Sequence, residues 1–525
     1  MNGSGSPAIE VARAHYLAGR LDDAVRVLRQ APPSDAGSPD VLLLLAEIHA
    51  RKGEMVTAAD FAMRAVSRGD AAPHLLLEVA RLCQASGRHT DAIKVLTRLV
   101  RVQPGHASAQ LLLAQSHAEQ GDPAKALQLL DALLIAQPHS HELHYNRGWI
   151  LGRLGQLDEE TAAYQAALAL RPNFVPAHIN LGVAQREQHR FAEALRQFER
   201  ALQIDPYCAD AHTNRAQTCL MIGDFETGWR EYEWRWRDGG QGHGFDPAKQ
   251  WTGRQPIAGR RLLVHHEQGL GDTLQFVRYV PLLVEAGAKV LLRVQTSLVP
   301  LLAPSLATVR VFAENEPAPV HDLHCPLLSL PLAFGTTAES IPAAIPYLRA
   351  PPERREKWRE LLGEQRDRPR VGIAWTGSKV DPNRRIPLDE LGPLLDARAD
   401  FFSLVKDVPP IDYKTLARRT GIINHGRGLR DFADTAALVA ELDLVITIDT
   451  SLAHLAGALG AALWIALPFT PDWRWQMDRP DSPWYPQARL FRQCRRGDWK
   501  TVVLAMADAL QVWLSSLACS KRSGG

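Results

Sequence analysis

The chain is expected to fold as an α-solenoid of seven helix pairs followed by two doubly wound α/β domains, and three observations carry that expectation. Glycines recur at a 34-residue period through the first half. Short β-prone runs alternate with helical ones through the second half, and a polar, glycine-rich stretch near residue 243 separates the two grammars. The 525 residues suit three or four domain-sized units at roughly 150 residues each.

The first element is the repeat array. Gly19, Gly53, Gly87, Gly121, Gly155 and Gly223 are spaced by 34 or its double, with His189 at the one missing step. Five residues after each comes a small residue (Ala24, Ala58, Ala92, Ala126, Ala194, Gly228), with Glu160 as the exception, and Pro104, Pro138, Pro172 and Pro206 close successive units. Each unit therefore reads as helix, glycine turn, helix, proline stop: the small residue lets the two helices approach, and proline cannot continue a helix. Seven units fit across 5–242. The segments "LGVAQREQHRFAEALRQFERALQIDP" (181–206) and "GDFETGWREYEWRW" (223–236) resemble the tetratricopeptide repeat family, which implies a superhelix whose groove binds peptide or protein. A scaffold, or an arm joining copies of the chain into a homo-oligomer, is the plainer reading. Asn146, Asn180 and Asn214 fall 34 apart on the first helices of the last three units. A side-chain amide donates and accepts at once, so such a row suits gripping an extended peptide backbone. It is similar to the asparagine ladder of O-GlcNAc transferases, although asparagine is also common at this repeat position.

The second half begins after a linker expected over 243–260. "RLLVHH", "KVLLRV", "VRVFA" and "DLHCPL" mark strands of a first domain at 261–350. "RVGIAW", "FFSLV", "GIINH", "DLVITID", "ALWIALP" and "ARLFR" mark a second at 366–515. Strands alternating with helices imply parallel sheets, so both domains read as Rossmann-like with a cleft between them. In the first, "EQGLGDTLQF" puts Gly269 and Gly271 at a strand-to-helix turn, where glycines let a ligand approach the backbone. Asp272 opens the helix there, and helix capping is its alternative role. In the second, "DLVITIDTSLAHLAGALG" ends a strand in Asp449, Thr450 and Ser451 and runs into a helix, an anion site by its backbone N–H groups. The loop "WTGSKVDPNRRIPL" carries Gly377, Lys379, Arg384 and Arg385 to the same sheet edge, and such cations suit a diphosphate; a solvated charge run is the bland alternative for the arginines.

"EQGLGDTLQF" and "DTSLAHLAGALG" resemble the ADP-heptose:lipopolysaccharide heptosyltransferases, in which the tryptophan-rich 471–499 segment has no counterpart. They are also similar to a bacterial group in which tetratricopeptide repeats precede a GT-B glycosyltransferase domain, with a domain order like that of O-GlcNAc transferases and flagellin glycosyltransferases. The resemblance implies a GT-B fold, with Asp272 as catalytic base and Gly271, Gly377, Lys379, Arg384, Arg385, Asp449, Thr450, Ser451 and His454 toward a nucleotide-sugar donor. His454 is expected to position or pack rather than ligate metal. Trp473, Trp475, Trp484 and Trp499 offer faces for sugar or base stacking, or a lid packed on the cleft.

The function this implies is an inverting, metal-independent glycosyltransferase moving a sugar to an acceptor hydroxyl, on a protein held by the repeats through Asn146, Asn180 and Asn214, as in flagellin-type O-glycosylation. A lipopolysaccharide or polysaccharide transferase that uses its repeats for docking is the alternative enzyme, and a non-catalytic repeat adaptor the alternative of another class. No D-x-D sequence occurs, so no metal and no cofactor beyond the nucleotide-sugar substrate is expected. The net charge of +2 is too small for the basic stripe of a nucleic-acid binder. Hydrophobic residues at 46% and charged residues at 22% exclude wholesale disorder. Six cysteines without CxxC spacing read as reduced structural thiols. No signal peptide is visible, and the apolar stretch 444–469 is broken by Asp449 and His454, so no transmembrane segment and a cytoplasmic location are expected.

Overall fold

The computed structural model describes residues 7–67, 71–237, 244–364, 368–377, 384–418 and 421–523. Its chain divides into two compact units, 1–206 and 207–525.

The first unit is a tetratricopeptide-type helical array. Its pairs are Pro7–Leu17 with Leu21–Arg29, Pro39–Arg51 with Met55–Val66, Pro73–Ala85 with His89–Val102, Ala107–Glu119 with Pro123–Ala136, His141–Arg153 with Leu157–Leu170, and Val175–Glu187 with Phe191–Ile204. The periodic glycines sit in the left-handed region, Gly19 at φ 75° and Gly121 at φ 86°, and His189 adopts φ 60° in their place. Only there does the turn demand glycine's freedom. Ala24, Ala58, Ala92, Ala126 and Ala194 are fully buried between paired helices. The odd residue, Glu160, is accommodated by the opposite helix: a Cβ on Gly152 would meet Glu160 Oε1 at 2.6 Å. The prolines do more than stop helices, because the carbonyls of Pro138 and Pro172 accept from His144 Nε2 (3.0 Å) and His178 Nε2 (2.9 Å) of the following helix.

A seventh pair, Ala209–Met221 with Phe225–Tyr232, was expected to close the array but packs as part of the second unit. The reason is aromatic. Phe225, Trp229 and Tyr232 are each buried, and Trp229 stands edge-on to Trp473 at 5.3 Å and donates Nε1–H to the Thr336 carbonyl at 3.1 Å.

The rest of the second unit carries two parallel sheets with helices between their strands. The first has β1 (Arg261–His265), β2 (Lys289–Val294), β3 (Arg310–Ala313) and β4 (Leu323–Pro326) in the order β3-β2-β1-β4. The second has β5 (Arg370–Ala374), β6 (Asp400–Ser403), β7 (Ile422–Asn424), β8 (Leu444–Ile448), β9 (Leu463–Leu467) and β10 (Ala488–Arg492) in the order β10-β9-β8-β5-β6-β7. β5, β8 and β9 are buried along their whole length, as strands covered on both faces must be, and for that reason they read as unbroken apolar runs. The order reverses between β1 and β4 and between β5 and β8, and ligands of open α/β sheets bind beyond the carboxyl ends at such reversals. The expected linker is partly folded: Trp251 is buried, and its N–H donates to the His324 carbonyl at 2.7 Å, which extends the first sheet beside β4.

Candidate active-site cleft

β1 delivers the chain into the helix Leu270–Phe276, with Gly269 as its N-cap. Asp272 is the third helical residue, and its Oδ2 accepts from the Gly269 N–H at 2.8 Å. The capping role foreseen for it is therefore real, and it leaves Oδ1 for other work. Gln268, just upstream, holds φ 55°, a costly conformation for a non-glycine residue. Its amide is pinned by the Tyr232 hydroxyl, to which Nε2 donates at 3.1 Å.

From the second sheet, β8 leads into Asp449 and Thr450, and Thr450 Oγ1 caps the helix Ser451–Ala458 by accepting from the Leu452 N–H at 3.3 Å. The N-termini of the two helices meet. A Cβ on Gly271 would lie 2.8 Å from His454 Cδ2 and 3.4 Å from Ser451 Cα, and one on Gly377 would lie 2.5 Å from Thr450 Cγ2. These glycines thus serve close packing of the walls rather than clearance for a ligand.

The meeting point lies on a cleft of about 1110 Å³. Gly271, Gly377, Asp272, Arg384, Asp449, Thr450, Ser451 and His454 all line it, so most of the residues picked from the sequence are brought together. Arg384 Nη1 lies 3.5 Å from Asp449 Oδ2. Burial raises the Asp449 carboxyl above the usual carboxylate range, with Arg384 pulling against it. His454 stacks on Trp475 at 5.4 Å and shares a 2.9 Å hydrogen bond between Nδ1 and the Tyr485 hydroxyl. Burial drives its pKa down to about 3, which keeps it neutral and fits a packing role. Further along the wall, Lys406 Nζ donates to the Arg430 carbonyl at 3.0 Å, and Asp431 caps the helix Phe432–Val439.

Three expectations need correction or limits. Arg385 does not line the cleft: it pairs with Asp412, whose other oxygen accepts from Trp375 Nε1 at 2.9 Å. Trp473, Trp475, Trp484 and Trp499 are no stacking platform, being at most 4% exposed: Trp473 and Trp484 pack against the buried Trp229, and Trp475 against the buried His454 and Tyr485. Lys379 lies outside the described residues. As for the asparagines, Asn146 Nδ2 donates to the Glu142 carbonyl at 2.7 Å and its Oδ1 accepts from Gln115 at 2.9 Å. Asn180 donates to the Tyr145 hydroxyl at 3.0 Å, and Asn214 to the Asp210 carbonyl at 2.9 Å.

Among the cleft residues that the sequence reading missed, Asp472 and Arg474 touch Asp272's surroundings most directly. Asp472 and Arg474 alternate with the buried tryptophans in the turn Trp473–Trp475, so that the aromatic rings face the core while the charges face the cleft. Arg474 Nη1 donates to Asp472 Oδ1 at 2.8 Å, Nε to Gln275 Oε1 at 2.8 Å, and Nη2 to Asp272 Oδ1. The available signal was an Asp-x-Arg triplet inside a segment that otherwise reads as aromatic core.

Models of the tetratricopeptide repeat match residues 10–74, 80–141, 111–173 and 175–208. The chain is 26% identical to Protein FlbA of Caulobacter vibrioides over 435 residues, 77% of this chain and 72% of that protein. It is 25% identical over 175 residues to the human Protein O-mannosyl-transferase TMTC1, covering 33% of this chain and only 20% of that relative. Among solved structures, a thermophilic TPR protein of Thermus thermophilus matches at 23% identity and TM-score 0.30, covering 35% of this chain and 99% of that one. No helix among the described residues is long and apolar enough to cross a membrane. The N-terminal part of the chain thus carries tetratricopeptide repeats, and an α/β region of parallel sheets follows.

Proposed function

We propose that the second unit is a GT-B-type glycosyltransferase that moves a sugar, with inversion and without a metal ion, from a nucleotide-sugar donor to a hydroxyl of a protein acceptor, acting in the cytoplasm. The observation that carries this reading is one cleft that sets Asp272 on one wall against Arg384 and the capped helix end at Thr450 on the other. The reaction is a single in-line displacement. Asp272 takes the proton of the acceptor hydroxyl, the freed oxygen attacks the anomeric carbon, and the bond from that carbon to the diphosphate breaks with its electron pair leaving on the phosphate. Arg384 and the N–H groups of the Ser451–Ala458 helix stabilise that charge where it develops. The protein acceptor rests on the repeats and on Asn146, Asn180 and Asn214; the partial similarity to a Protein O-mannosyl-transferase, over a fifth of its length, points the same way.

Turnover of Asp272→Asn tests the reading. The amide keeps the shape but takes no proton, so the rate should fall by about 100- to 10,000-fold, and the wild-type rate should be unchanged by EDTA. A folded, active Asp272→Asn enzyme returns Asp272 to helix capping alone. EDTA-sensitive turnover restored by a divalent cation overturns the metal-free chemistry.

A further inference from the structure

The cleft contains a charge relay that the displacement itself does not need. Arg474 belongs to the second sheet's half of the unit, whereas two of its three side-chain partners, Asp272 and Gln275, belong to the helix that follows β1. Its side chain is almost fully covered, 8% exposed, and its guanidinium lies over the Trp473 ring at 4.2 Å from the centroid. Asp472 fixes it from behind, accepting both the Arg474 backbone N–H at 3.0 Å and Nη1–H at 2.8 Å. Every nitrogen of the fork is therefore directed, and one of them is aimed at the oxygen of Asp272 that the Gly269 cap leaves over.

We propose that Arg474 is the positioning residue that sets the ionisation of Asp272, holding its guanidinium against the carboxylate from the other side of the cleft. The proposal rests on the glycosyltransferase reading for Asp272's role, but its electrostatic part stands on geometry alone. The groups facing Asp272 are few. Arg474 and Asp472 reach it from the 472–475 turn, Tyr232 from the helix Phe225–Tyr232, and His454 from the helix Ser451–Ala458. Tyr232 has its pKa raised by burial and His454 has its own lowered, so both are neutral near pH 7. Arg474 is the adjacent cation. Burial lifts the Asp272 carboxyl, and Arg474 pulls it back. An opposite charge in contact lowers a carboxyl pKa by about 1 to 3 units. Asp272 thus stands above the ordinary carboxylate value even with Arg474 in place, and losing that cation would raise it further.

The experiment uses the full chain in two backgrounds, Asp472→Asn and Arg474→Gln/Asp472→Asn, so that only the Arg474 charge differs between them. Asp472 is neutralised in both because leaving it unpaired would itself threaten folding and because its charge raises the Asp272 pKa against the effect of Arg474. Arg474→Lys serves as the conservative rescue. In each background the unfolding free energy of Asp272 is compared with that of Asp272→Asn from pH 3 to 9, and the pH at which the difference changes reports the Asp272 pKa. That midpoint is expected to rise by about 1 unit or more when Arg474 is lost, and to return at least halfway in Arg474→Lys. Where turnover is measurable, the acid limb of kcat/KM should move up with it. An unmoved midpoint in a folded double variant overturns the proposal. A moved midpoint with an unmoved acid limb overturns Arg474's positioning role. A moved midpoint with no turnover of any nucleotide sugar in the wild type instead sinks the glycosyltransferase reading, and with it the role, while the ion pair's effect on Asp272 would stand.

Discussion

A chain that starts at residue 207 should fold, and one that starts at residue 243 should not, even though the second cut spares both sheets. Starting at 243 removes the seventh helix pair and with it Trp229, 2% exposed and edge-on to Trp473, Trp484 and Phe276. Losing a buried tryptophan side chain costs about 3 to 5 kcal/mol. The same cut removes Arg235, whose Nε and Nη2 donate to the two oxygens of Glu267 at 2.8 and 2.9 Å. Glu267, with 5% of its side chain exposed, would be left buried beside the Leu328 N–H without its cation, a loss of about 3 to 5 kcal/mol. The combined cost of about 6 to 10 kcal/mol reaches the whole stability of an ordinary domain, about 5 to 15 kcal/mol. Urea unfolding of the 207–525 chain should give one cooperative transition, and its Trp229→Ala variant should lose about 3 to 5 kcal/mol at unchanged slope. A 243–525 chain that unfolds cooperatively at the same midpoint as 207–525 would refute the reasoning and make the seventh pair a dispensable part of the array.

Replacing Asn146, Asn180 and Asn214 together by alanine should weaken modification of a protein acceptor while leaving donor binding intact; unchanged acceptor kinetics would remove the amides from the acceptor platform and favour a polysaccharide acceptor. Because Asn180 also ties the Tyr145 hydroxyl, Asn180→Ala alone should cost the array about 0.5 to 1.5 kcal/mol, measurable by thermal unfolding. His454 supplies a pH signature. Its folded pKa of about 3 lies below the ordinary 6.5, so the stability it allows is full above pH 6.5 and is lost as pH falls from 6.5 toward 3. Replacing it with phenylalanine should flatten that fall by up to about 1.4 kcal/mol per pH unit. Equal slopes for the two proteins, read by denaturant unfolding at pH 7, 5.5 and 4.5, would mean that His454 charges freely in the fold.

The parts of this molecule legible in sequence are those where one residue type answers a local demand. Gly19 and its periodic partners mark left-handed turns, and the ten β-prone runs became ten strands among the described residues, most plainly β5, β8 and β9, whose burial on both faces leaves little room for polar residues. Asp272, Asp449 and Thr450 were legible because the ends of β1 and β8 are where a doubly wound sheet exposes its helix termini. What stayed hidden depends on partners remote in the chain. Nothing near Glu160 announces that Gly152 makes room for it. Arg384 and Arg385 are adjacent, yet one turns to Asp449 and the other to Asp412, a choice made by residues 65 and 27 positions away. The tryptophan-rich segment misled for the same reason: Trp473 and Trp484 pack on the distant Trp229 and Trp475 on His454, and the cleft is served by Asp472 and Arg474.

The central claim, that the cleft between the two sheets holds a nucleotide sugar, is tested most directly by equilibrium unfolding of the full chain against a panel of nucleoside diphosphate sugars, with Arg384→Ala alongside. One donor should stabilise the wild type by about 2.7 kcal/mol at 100 times its Kd. In Arg384→Ala the affinity should fall by roughly ten- to a hundredfold, the worth of one charge-assisted hydrogen bond of about 1.5 to 3 kcal/mol. A chain stabilised by none of them, or equally stabilised with and without Arg384, would contradict the claim.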